Sequence, residues 1–354
     1  MQKITNLIIT YSIVIVLFLI SVFSAFFYIH YNKKIETLSI EKLKFINQIM
    51  IEKVSNYLMP AIKMSETSAY LFENYVLYYT LPLQLEFYTL SLVKSFPQLS
   101  ASYFGDNNGN FIMTKRLIDQ TFETTILDPI TKKTQIKNYN LFNKKISFRT
   151  QSNVLFDPRL RPWFSGAKER QYWTDVYKFY SDKNLGVTAS YPIFNQEENF
   201  HGVFGIDIKL EKIEKFLSEN QFLKKANVFI IDQNHKIIIS PKTTHLNNNL
   251  TPNLPLKLIN KWIVERYIKK KQNNKFYTIL KFNYDNKQFY AIYSSFPKKL
   301  GNNWQIVTLL EEKNITLNKT TNHSLLISLI VFIGLFIAGS ILFILNKIKQ
   351  LLPK

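Results

Sequence analysis

Residues 157–164 read DPRLRPWF, and residues 202–208 read GVFGIDI. These segments and the stretch between them contain one arginine and two aspartates of interest, Arg161, Asp182 and Asp207. A guanidinium can hold a carboxylate through two parallel hydrogen bonds, and two carboxylates can share the donors of an ammonium group. A zwitterion that enters a pocket needs compensation of both its charges. These three side chains are therefore the smallest set that could bind one.

Each of the three charges also has an ordinary structural explanation. Arg161 could pair with Asp157, Asp182 could belong to a turn beside Asn184, and Asp207 could fix the end of a strand. One such residue alone would favour the structural explanation. The residues alone do not choose between these structural roles and a binding pocket.

Two hairpins of the same type are predicted, one before and one after these segments. Their strands cover residues 101–104 and 110–113 in the first hairpin, and 228–231 and 236–239 in the second. Both have short apolar strands on either side of a turn that contains Asp and Asn. Each is followed by a helical stretch and further strands, which predicts two related α+β lobes in series.

A long helix is predicted over residues 33–84, ahead of the first lobe. Apolar side chains recur at spacings of three and four from Leu43 to Leu71, which is typical of a coiled-coil seam. Pro60 interrupts the pattern and should kink the helix or split it in two. The seam could face a second subunit or the sheets of its own domain, and the pattern leaves both open.

Two uncharged apolar runs, residues 7–29 and 325–345, bracket everything described so far. Each is at least as long as the ~20 residues that cross a bilayer core. The first lacks a small-residue cleavage site, so we interpret it as an uncleaved anchor and not as a signal peptide. In the second, Gly334 and Ala338 lie on one stripe, where another helix could approach closely. Two transmembrane helices are therefore predicted.

The composition narrows the possible functions. The 354 residues carry a formal charge of +20 and no cysteine, which excludes disulfides and cysteine-based metal sites or nucleophiles. The charge could attract anionic partners, but the lysines are scattered as in a chain encoded by an AT-rich genome, so nucleic acid is not expected. The five histidines lack metal-ligand spacing, and no phosphate-binding loop, nucleophile elbow or dinucleotide motif occurs. We expect neither an enzyme nor a cofactor.

Residues 157–164, followed by Ala167, Trp173-Thr174 and residues 202–208, resemble the double Cache family. That family supplies extracytoplasmic sensor modules to bacterial chemoreceptors, histidine kinases and cyclic-di-GMP enzymes, and the resemblance spans roughly residues 33–312. It implies an α+β fold with a long N-terminal helix and two PAS-like lobes. Together with the two apolar runs, the resemblance predicts a cytoplasmic N-terminus (1–6), a first transmembrane helix (7–29) and the sensor (33–312). Within the sensor we expect the helix at 33–84, a membrane-distal lobe at 85–220 and a membrane-proximal lobe at 225–312. The second transmembrane helix (325–345) and a short tail without an output domain (346–354) are expected after it.

The resemblance to the amino-acid-binding branch of this family also implies a binding site in the distal lobe. The matching positions are Arg161, Trp163 and Phe164 for the ligand carboxylate, and Tyr180, Asp182 and Asp207 for its ammonium group. Phe164 lacks the hydroxyl found in the family. If Tyr177 were the counterpart in place of Tyr180, Phe179 would replace Asp182 and half of the ammonium clamp would be missing.

The resemblance implies a sensor in the bacterial inner membrane whose domain lies in the periplasm or outside the cell. The expected ligand is an amino acid. Other expected partners are the bilayer, a second copy of the chain through the long helix and the membrane helices, and a cytoplasmic signalling protein. Three alternatives stay open: an interaction protein with no small ligand, the remnant of a longer receptor, and a receptor for amines or other small metabolites.

Overall fold

The computed structural model describes residues 2–152, 155–219, 226–232, 237–239, 277–284 and 286–312, together with residues 331, 334, 335, 337–344 and 346. These residues belong to two compact units. The first contains residues 1–45, 281–290 and 310–354, and the second contains residues 46–280 and 291–309.

The chain begins with one helix, α1 (Gln2–Glu73). It continues through Pro60, so of the two outcomes predicted for this proline the split is wrong, and the kink stays a prediction. A proline removes one backbone hydrogen bond, but here the neighbouring turns are fixed by the buried side chains of Leu58, Ala61 and Ile62. Tertiary packing therefore outweighs the local defect.

The predicted helix over residues 33–84 ends earlier than expected. Tyr75 adopts a left-handed backbone conformation, with φ of 55°, just after the last residue of α1. A second helix, α2 (Pro82–Ser95), then begins with a proline at its first position, where the missing N–H costs no hydrogen bond. The sequence pattern thus covers the end of one helix, a turn and the start of another.

Among the described residues, one helix is long and apolar enough to cross a membrane, and it is α1. Its most apolar window has a mean hydropathy of 2.6 and is not buried by the rest of the chain. This window is consistent with the first predicted transmembrane helix. The second predicted span, residues 325–345, lies partly outside the described residues.

A nine-stranded antiparallel sheet, the large sheet, forms the first lobe. Its strands are β1 (Ala101–Asp106), β2 (Phe111–Arg116), β3 (Phe122–Asp128), β4 (Lys133–Tyr139), β5 (Lys145–Ser152), β6 (Tyr172–Trp173), β7 (Tyr177–Lys178), β8 (Leu185–Phe194) and β9 (Phe200–Lys209). Their order is β5-β4-β3-β2-β1-β9-β8-β6, and β7 also pairs with β8. The first predicted hairpin is confirmed as β1 and β2.

Two short helices, α3 (Pro162–Gly166) and α4 (Leu210–Ser218), come before a five-stranded sheet, the small sheet. Its strands are β10 (Ala226–Ile231), β11 (Ile237–Ile239), β12 (Tyr277–Tyr284), β13 (Lys287–Ser295) and β14 (Gln305–Glu311), in the order β11-β10-β14-β13-β12. The second predicted hairpin is confirmed as β10 and β11, which pair antiparallel. The expected α+β fold, with a long N-terminal helix ahead of the sheets, is therefore confirmed.

The seam of α1 contributes to a hydrophobic core within its own chain. That core contains Met50, Val54 and Ala61 of α1, Phe104 and Phe204 of the large sheet, and Val228 and Ile306 of the small sheet. For these seam positions the contact is therefore with the domain's own sheets. A dimer through other parts of the helix stays a prediction.

A buried amide fixes α1 to the small sheet. Asn47 is almost fully buried, donates to Ser294 Oγ at 2.7 Å and accepts from Thr308 Oγ1 at 2.9 Å. Asn47→Ala would leave two buried hydroxyls without this partner, so we expect a loss of about 2–3 kcal/mol in the free energy of unfolding. Urea denaturation in detergent measures this loss. The exposed Asn74→Ala should change stability by less than about 0.5 kcal/mol, and equal losses in both variants would contradict the structural role of Asn47.

Candidate ligand-binding site

A cavity of about 310 Å³ lies against one face of the large sheet. Residues that pair directly across antiparallel strands point to the same side of a sheet. Ala101 of β1 pairs with both Asp207 of β9 and Lys115 of β2, and Lys115 pairs with Glu123 of β3. These four residues therefore form one row of side chains on the cavity face.

The opposite face of the large sheet is covered by α2. Thr89 of this helix shares a hydrogen bond of 2.8 Å with Thr114, and its carbonyl accepts from Ser102 Oγ at 2.9 Å. Thr114 and Ser102 alternate with the cavity-facing residues of the same strands. The two faces are thus distinct, one packed on a helix and one open to the cavity.

The other wall of the cavity is built by the segment that follows β5 and by the segment around β7. Its lining residues are Phe156, Arg161, Trp163, Tyr177, Phe179, Tyr180 and Ser181. The wall therefore consists mainly of aromatic rings around one guanidinium.

Arg161 lies at the junction between two short helical turns. Asp157 caps the first turn by accepting from the backbone N–H of Arg159, and it also holds the Arg159 guanidinium at 2.8 Å. Pro162 then starts α3 (Pro162–Gly166). The ordinary explanation in which Asp157 pairs with Arg161 is therefore wrong, because Arg159 occupies that carboxylate.

The guanidinium of Arg161 faces the cavity. Its central carbon lies 6.0 Å from the ring centre of Tyr177 and 5.8 Å from that of Tyr180, within the range of cation–π contacts. In the part of the chain that the structure describes, no acceptor takes a hydrogen bond from it. Its N–H groups are therefore available to a ligand.

The two aromatic residues after Arg161 have different positions. Trp163 lines the cavity and packs against Tyr103, with ring centres 4.7 Å apart. Phe164 lies behind it in the core, where its ring meets Phe200 edge-on at 5.6 Å. It is not part of the lining. A β-carbon on Gly105 would lie only 2.9 Å from the Trp163 ring, so glycine is needed there to seat the indole.

Asp207 lies at the floor of the cavity. Tyr103 and Thr188 both donate their hydroxyls to its Oδ1, each at 2.6 Å. Tyr103 can reach it because Gly205 leaves room for the ring, where a β-carbon would come within 2.2 Å. No donor among residues 2–152 and 155–219, or elsewhere in the described chain, reaches Oδ2. One carboxylate oxygen is thus fixed and the other is left for a ligand.

The ionisation of Asp207 is unusual. Burial raises the pKa of this carboxyl to about 7, although the hydrogen bonds from Thr188 and Tyr103 act in the opposite direction. The carboxyl therefore titrates close to neutral pH. A cation placed beside it would compensate the charge that burial disfavours.

Tyr180 and Asp182 are separated by the structure. Tyr180 lines the cavity and packs on Phe156, with ring centres 4.8 Å apart. Asp182 lies outside the lining and binds Lys209 Nζ at 2.5 Å and the backbone N–H of Asn184 at 3.1 Å. Burial alone would raise the pKa of Asp182, but the hydrogen bonds from Lys209 and Asn184 lower it below its ordinary value.

The alternative pairing of Tyr177 with Phe179 also has a structural counterpart. Both residues line the cavity, and Tyr177 shares a hydrogen bond of 2.8 Å with Thr188, the residue that fixes Asp207. Phe179 fills the space over Gly186, where a β-carbon would come within 2.0 Å of its ring. A phenyl ring, and not the carboxylate of Asp182, therefore reaches the cavity from this segment.

A family model described as Cache domain, of the double Cache type dCache_1, matches residues 31–318. The chain belongs to the double Cache family. This assignment confirms the resemblance given by the sequence motifs, and it places a sensor domain where the two sheets lie. No curated protein is similar enough in sequence to match.

Solved structures of Cache sensor domains have the same fold. The domain of the Campylobacter jejuni chemoreceptor Tlp3 in complex with L-valine has 14% sequence identity and a TM-score of 0.53, covering 80% of this chain and 98% of that one. Its structure with isoleucine gives 14% and 0.52 over the same shares. The Pseudomonas fluorescens chemoreceptor CtaA, in complex with L-leucine, has 17% identity and a TM-score of 0.50, covering 79% and 97%. At such low identity these likenesses establish the fold alone.

The sequence motifs missed several residues of the Cache cavity. The lining also includes Tyr103, Lys115, Glu123 and Arg149, and Thr188 lies just behind it. The sequence contained one indication of them. Lys115 is charged, but it lies on the same strand face as the apolar Phe111 and Met113. The others depend on strand register, which the motifs do not give.

Proposed function

We propose that this chain is a membrane-anchored sensor whose Cache domain binds an amino acid in the cavity of the large sheet. The observation that carries the proposal is a pair of opposite charges at one cavity, the guanidinium of Arg161 and the Oδ2 atom of Asp207. In the described chain neither has a hydrogen-bond partner. A free amino acid carries the two complementary charges.

The six residues predicted for the site have different roles in the proposed complex. Arg161 binds the α-carboxylate through parallel hydrogen bonds, and Asp207 binds the α-ammonium through Oδ2. Trp163 and Tyr180 offer ring faces to the cation and walls to the side chain. We assign Phe164 and Asp182 supporting roles, because the first packs behind Trp163 and the second is neutralised by Lys209.

The relatives of known structure support the choice of ligand. The Tlp3 domain was solved with valine and with isoleucine, and the CtaA domain with leucine. The cavity volume of about 310 Å³ is at the small end of the range for ligand sites, as a free amino acid requires.

The remaining elements of the proposal concern the membrane. Residues 7–29 and 325–345 anchor the chain in the bacterial inner membrane, and the domain over residues 33–312 lies outside the cytoplasm. Ligand binding shifts the balance between two conformations of the domain, and the membrane helices convey this shift to a second copy or to a cytoplasmic partner. Such a shift requires that the ligand bind one conformation more tightly than the other.

Thermal melting of the full chain in detergent tests ligand binding. The panel consists of the common L-amino acids, polyamines, purines and organic acids. A ligand that binds only the folded state stabilises it by about 2.7 kcal/mol at a concentration one hundred times its dissociation constant. We expect one or more amino acids to raise the melting temperature. A panel in which no amino acid raises it would contradict the proposal and favour an interaction protein.

The affinity for a zwitterion should depend on pH through Asp207. Its carboxyl must be ionised to pair with the ligand ammonium, and its pKa in the empty cavity is about 7. The affinity should therefore rise roughly tenfold per pH unit from pH 5 to pH 7 and level off above pH 7. Calorimetric titration at four pH values checks this profile. An affinity that is flat or falls over this range would contradict the ammonium-binding role of Asp207.

A further inference from the structure

A second group of charges lines the same cavity, on the strands beyond β1. Lys115 Nζ lies 2.9 Å from Glu123 Oε1, and Arg149 Nη2 lies 3.1 Å from Glu123 Oε2. Only 14% of the Lys115 side chain and 11% of the Glu123 side chain are exposed. Two cations therefore share one carboxylate, Lys115 from a largely enclosed position and Arg149 with 62% of its side chain exposed. We call Lys115 and Arg149 the distal cation pair.

The position of the distal cation pair follows from the strand register. Lys115 and Asp207 flank Ala101 on the same face, so their Cα atoms are two strand spacings, or about 10 Å, apart. Ala101 carries only a methyl group, which leaves the space above it open. A ligand held at Asp207 by its ammonium can thus extend its side chain over Ala101 towards Lys115.

The hydrogen-bonding capacity of the pair is not exhausted. An ammonium has three donors and a guanidinium has five, whereas Glu123 offers one oxygen to each. No second acceptor reaches either group within the described residues. An apolar ligand side chain at this place would face unused donors, but a carboxylate would accept from both.

The net charge of the lining residues also favours a ligand with a second carboxylate. It contains three basic side chains, Lys115, Arg149 and Arg161, and two acidic ones, Glu123 and Asp207. A neutral zwitterion pairs with Arg161 and Asp207. The distal cation pair and Glu123 then keep a net charge of one positive unit. A ligand with a second carboxylate would compensate it.

We propose that this Cache domain selects an amino acid with an anionic side chain, whose second carboxylate lies between Lys115 and Arg149. The inference rests on the proposed function, since the α-carboxylate and α-ammonium are held as described above. Such a ligand differs from the valine and isoleucine of the Tlp3 structures and from the leucine of the CtaA structure, which have apolar side chains.

Calorimetric titration of the full chain in detergent tests the inference. The ligands are L-aspartate and L-glutamate, their neutral amides L-asparagine and L-glutamine, L-leucine, and succinate as a dicarboxylate without an amine. We expect at least one acid to bind about 10- to 100-fold more tightly than its amide, as charge-assisted hydrogen bonds imply. Lys115→Met should bring this ratio close to one.

Two further variants serve as a control and as a substitute for Lys115→Met. Lys133→Met removes an exposed lysine of β4 that does not line the cavity, and it should preserve the preference for the acid. Arg149→Gln changes a largely exposed side chain, so it replaces Lys115→Met if that variant fails to fold. An unchanged ratio in a folded variant would overturn the role of the distal cation pair.

The outcomes separate the inference from the proposed function. If leucine or an amide binds more tightly than either acid and Arg161→Gln abolishes that binding, the proposed function stands and the inference is wrong. If succinate binds as tightly as L-aspartate, the ligand class is a dicarboxylate and both assignments to an amino acid are wrong. If no amino acid binds, both proposals fail together.

Discussion

Arg161→Gln should weaken the binding of an amino acid by about a hundredfold or more and leave the domain folded. The loss of one partner of a desolvated charge pair costs about 2–5 kcal/mol of binding free energy, which corresponds to roughly 30- to 4,000-fold. The fold should tolerate the change, because no acceptor among the described residues depends on this guanidinium. Calorimetric titration and thermal melting of the full chain measure the two effects.

Arg159→Gln is the matched control for Arg161→Gln. It removes the same charge two residues earlier, but Arg159 is held by Asp157 and does not line the cavity. Its affinity for the ligand should stay within about twofold of the wild-type value. Equal losses in the two variants would indicate a general effect of charge and contradict a direct contact from Arg161. Unfolding of Arg161→Gln would indicate a structural role instead.

Asp207→Asn should abolish amino-acid binding and yet make the domain more stable at neutral and alkaline pH. The amide can keep the hydrogen bonds from Tyr103 and Thr188 through its oxygen. Because the pKa of Asp207 is raised in the folded state, the folded chain holds a proton that the unfolded chain has lost between about pH 4 and pH 7. The wild-type protein therefore loses stability from this group as the pH rises through that range, and the variant does not.

The stability gain of Asp207→Asn should thus depend on pH in a defined way. The two proteins should melt at similar temperatures near pH 4, and the gap should widen up to about pH 7 and stay constant above it. At pH 8 the gain should be on the order of 2–4 kcal/mol. A difference in melting temperature between the two proteins that stays constant at all pH values would show that Asp207 ionises at its ordinary pKa. A stable variant that still binds the amino acid would remove Asp207 from the site.

The fold was largely predictable because its signals are local. The first apolar run, the seam of α1 and the two hairpins each occupy one continuous stretch, and each forms a helix or a hairpin where the pattern indicated. The end of α1 was not predictable from periodicity. Apolar spacing continues into α2, and the break depends on the backbone of Tyr75 and on Pro82, which the seam pattern does not register.

The site was predictable only in part, because strand register decides the rest. Arg161, Trp163, Tyr180 and Asp207 all line the cavity. Their role in ligand binding stays a prediction. Asp182 does not, because the pairing of β8 with β9 brings Lys209 beside it from 27 positions further along the chain.

The same limit applies to the sheet side of the cavity. Tyr103, Lys115 and Glu123 face Asp207 only because β1 lies between β2 and β9. That order joins residues about a hundred positions apart in sequence. A hairpin pattern predicts the pairing of β1 with β2, but it does not predict which later strand completes the sheet.

The most direct test of the account compares one amino acid with two analogues that each lack a single charge. The full chain is titrated calorimetrically with the tightest binder of the panel, with the same molecule amidated at its α-carboxyl group, and with the corresponding acid that lacks the α-amine. We expect each analogue to bind at least about thirtyfold more weakly, because Arg161 and Asp207 each lose their partner. An analogue that binds as tightly as the parent, or a parent amino acid that gives no binding heat at any pH between 6 and 8, would contradict a zwitterion held between these two residues.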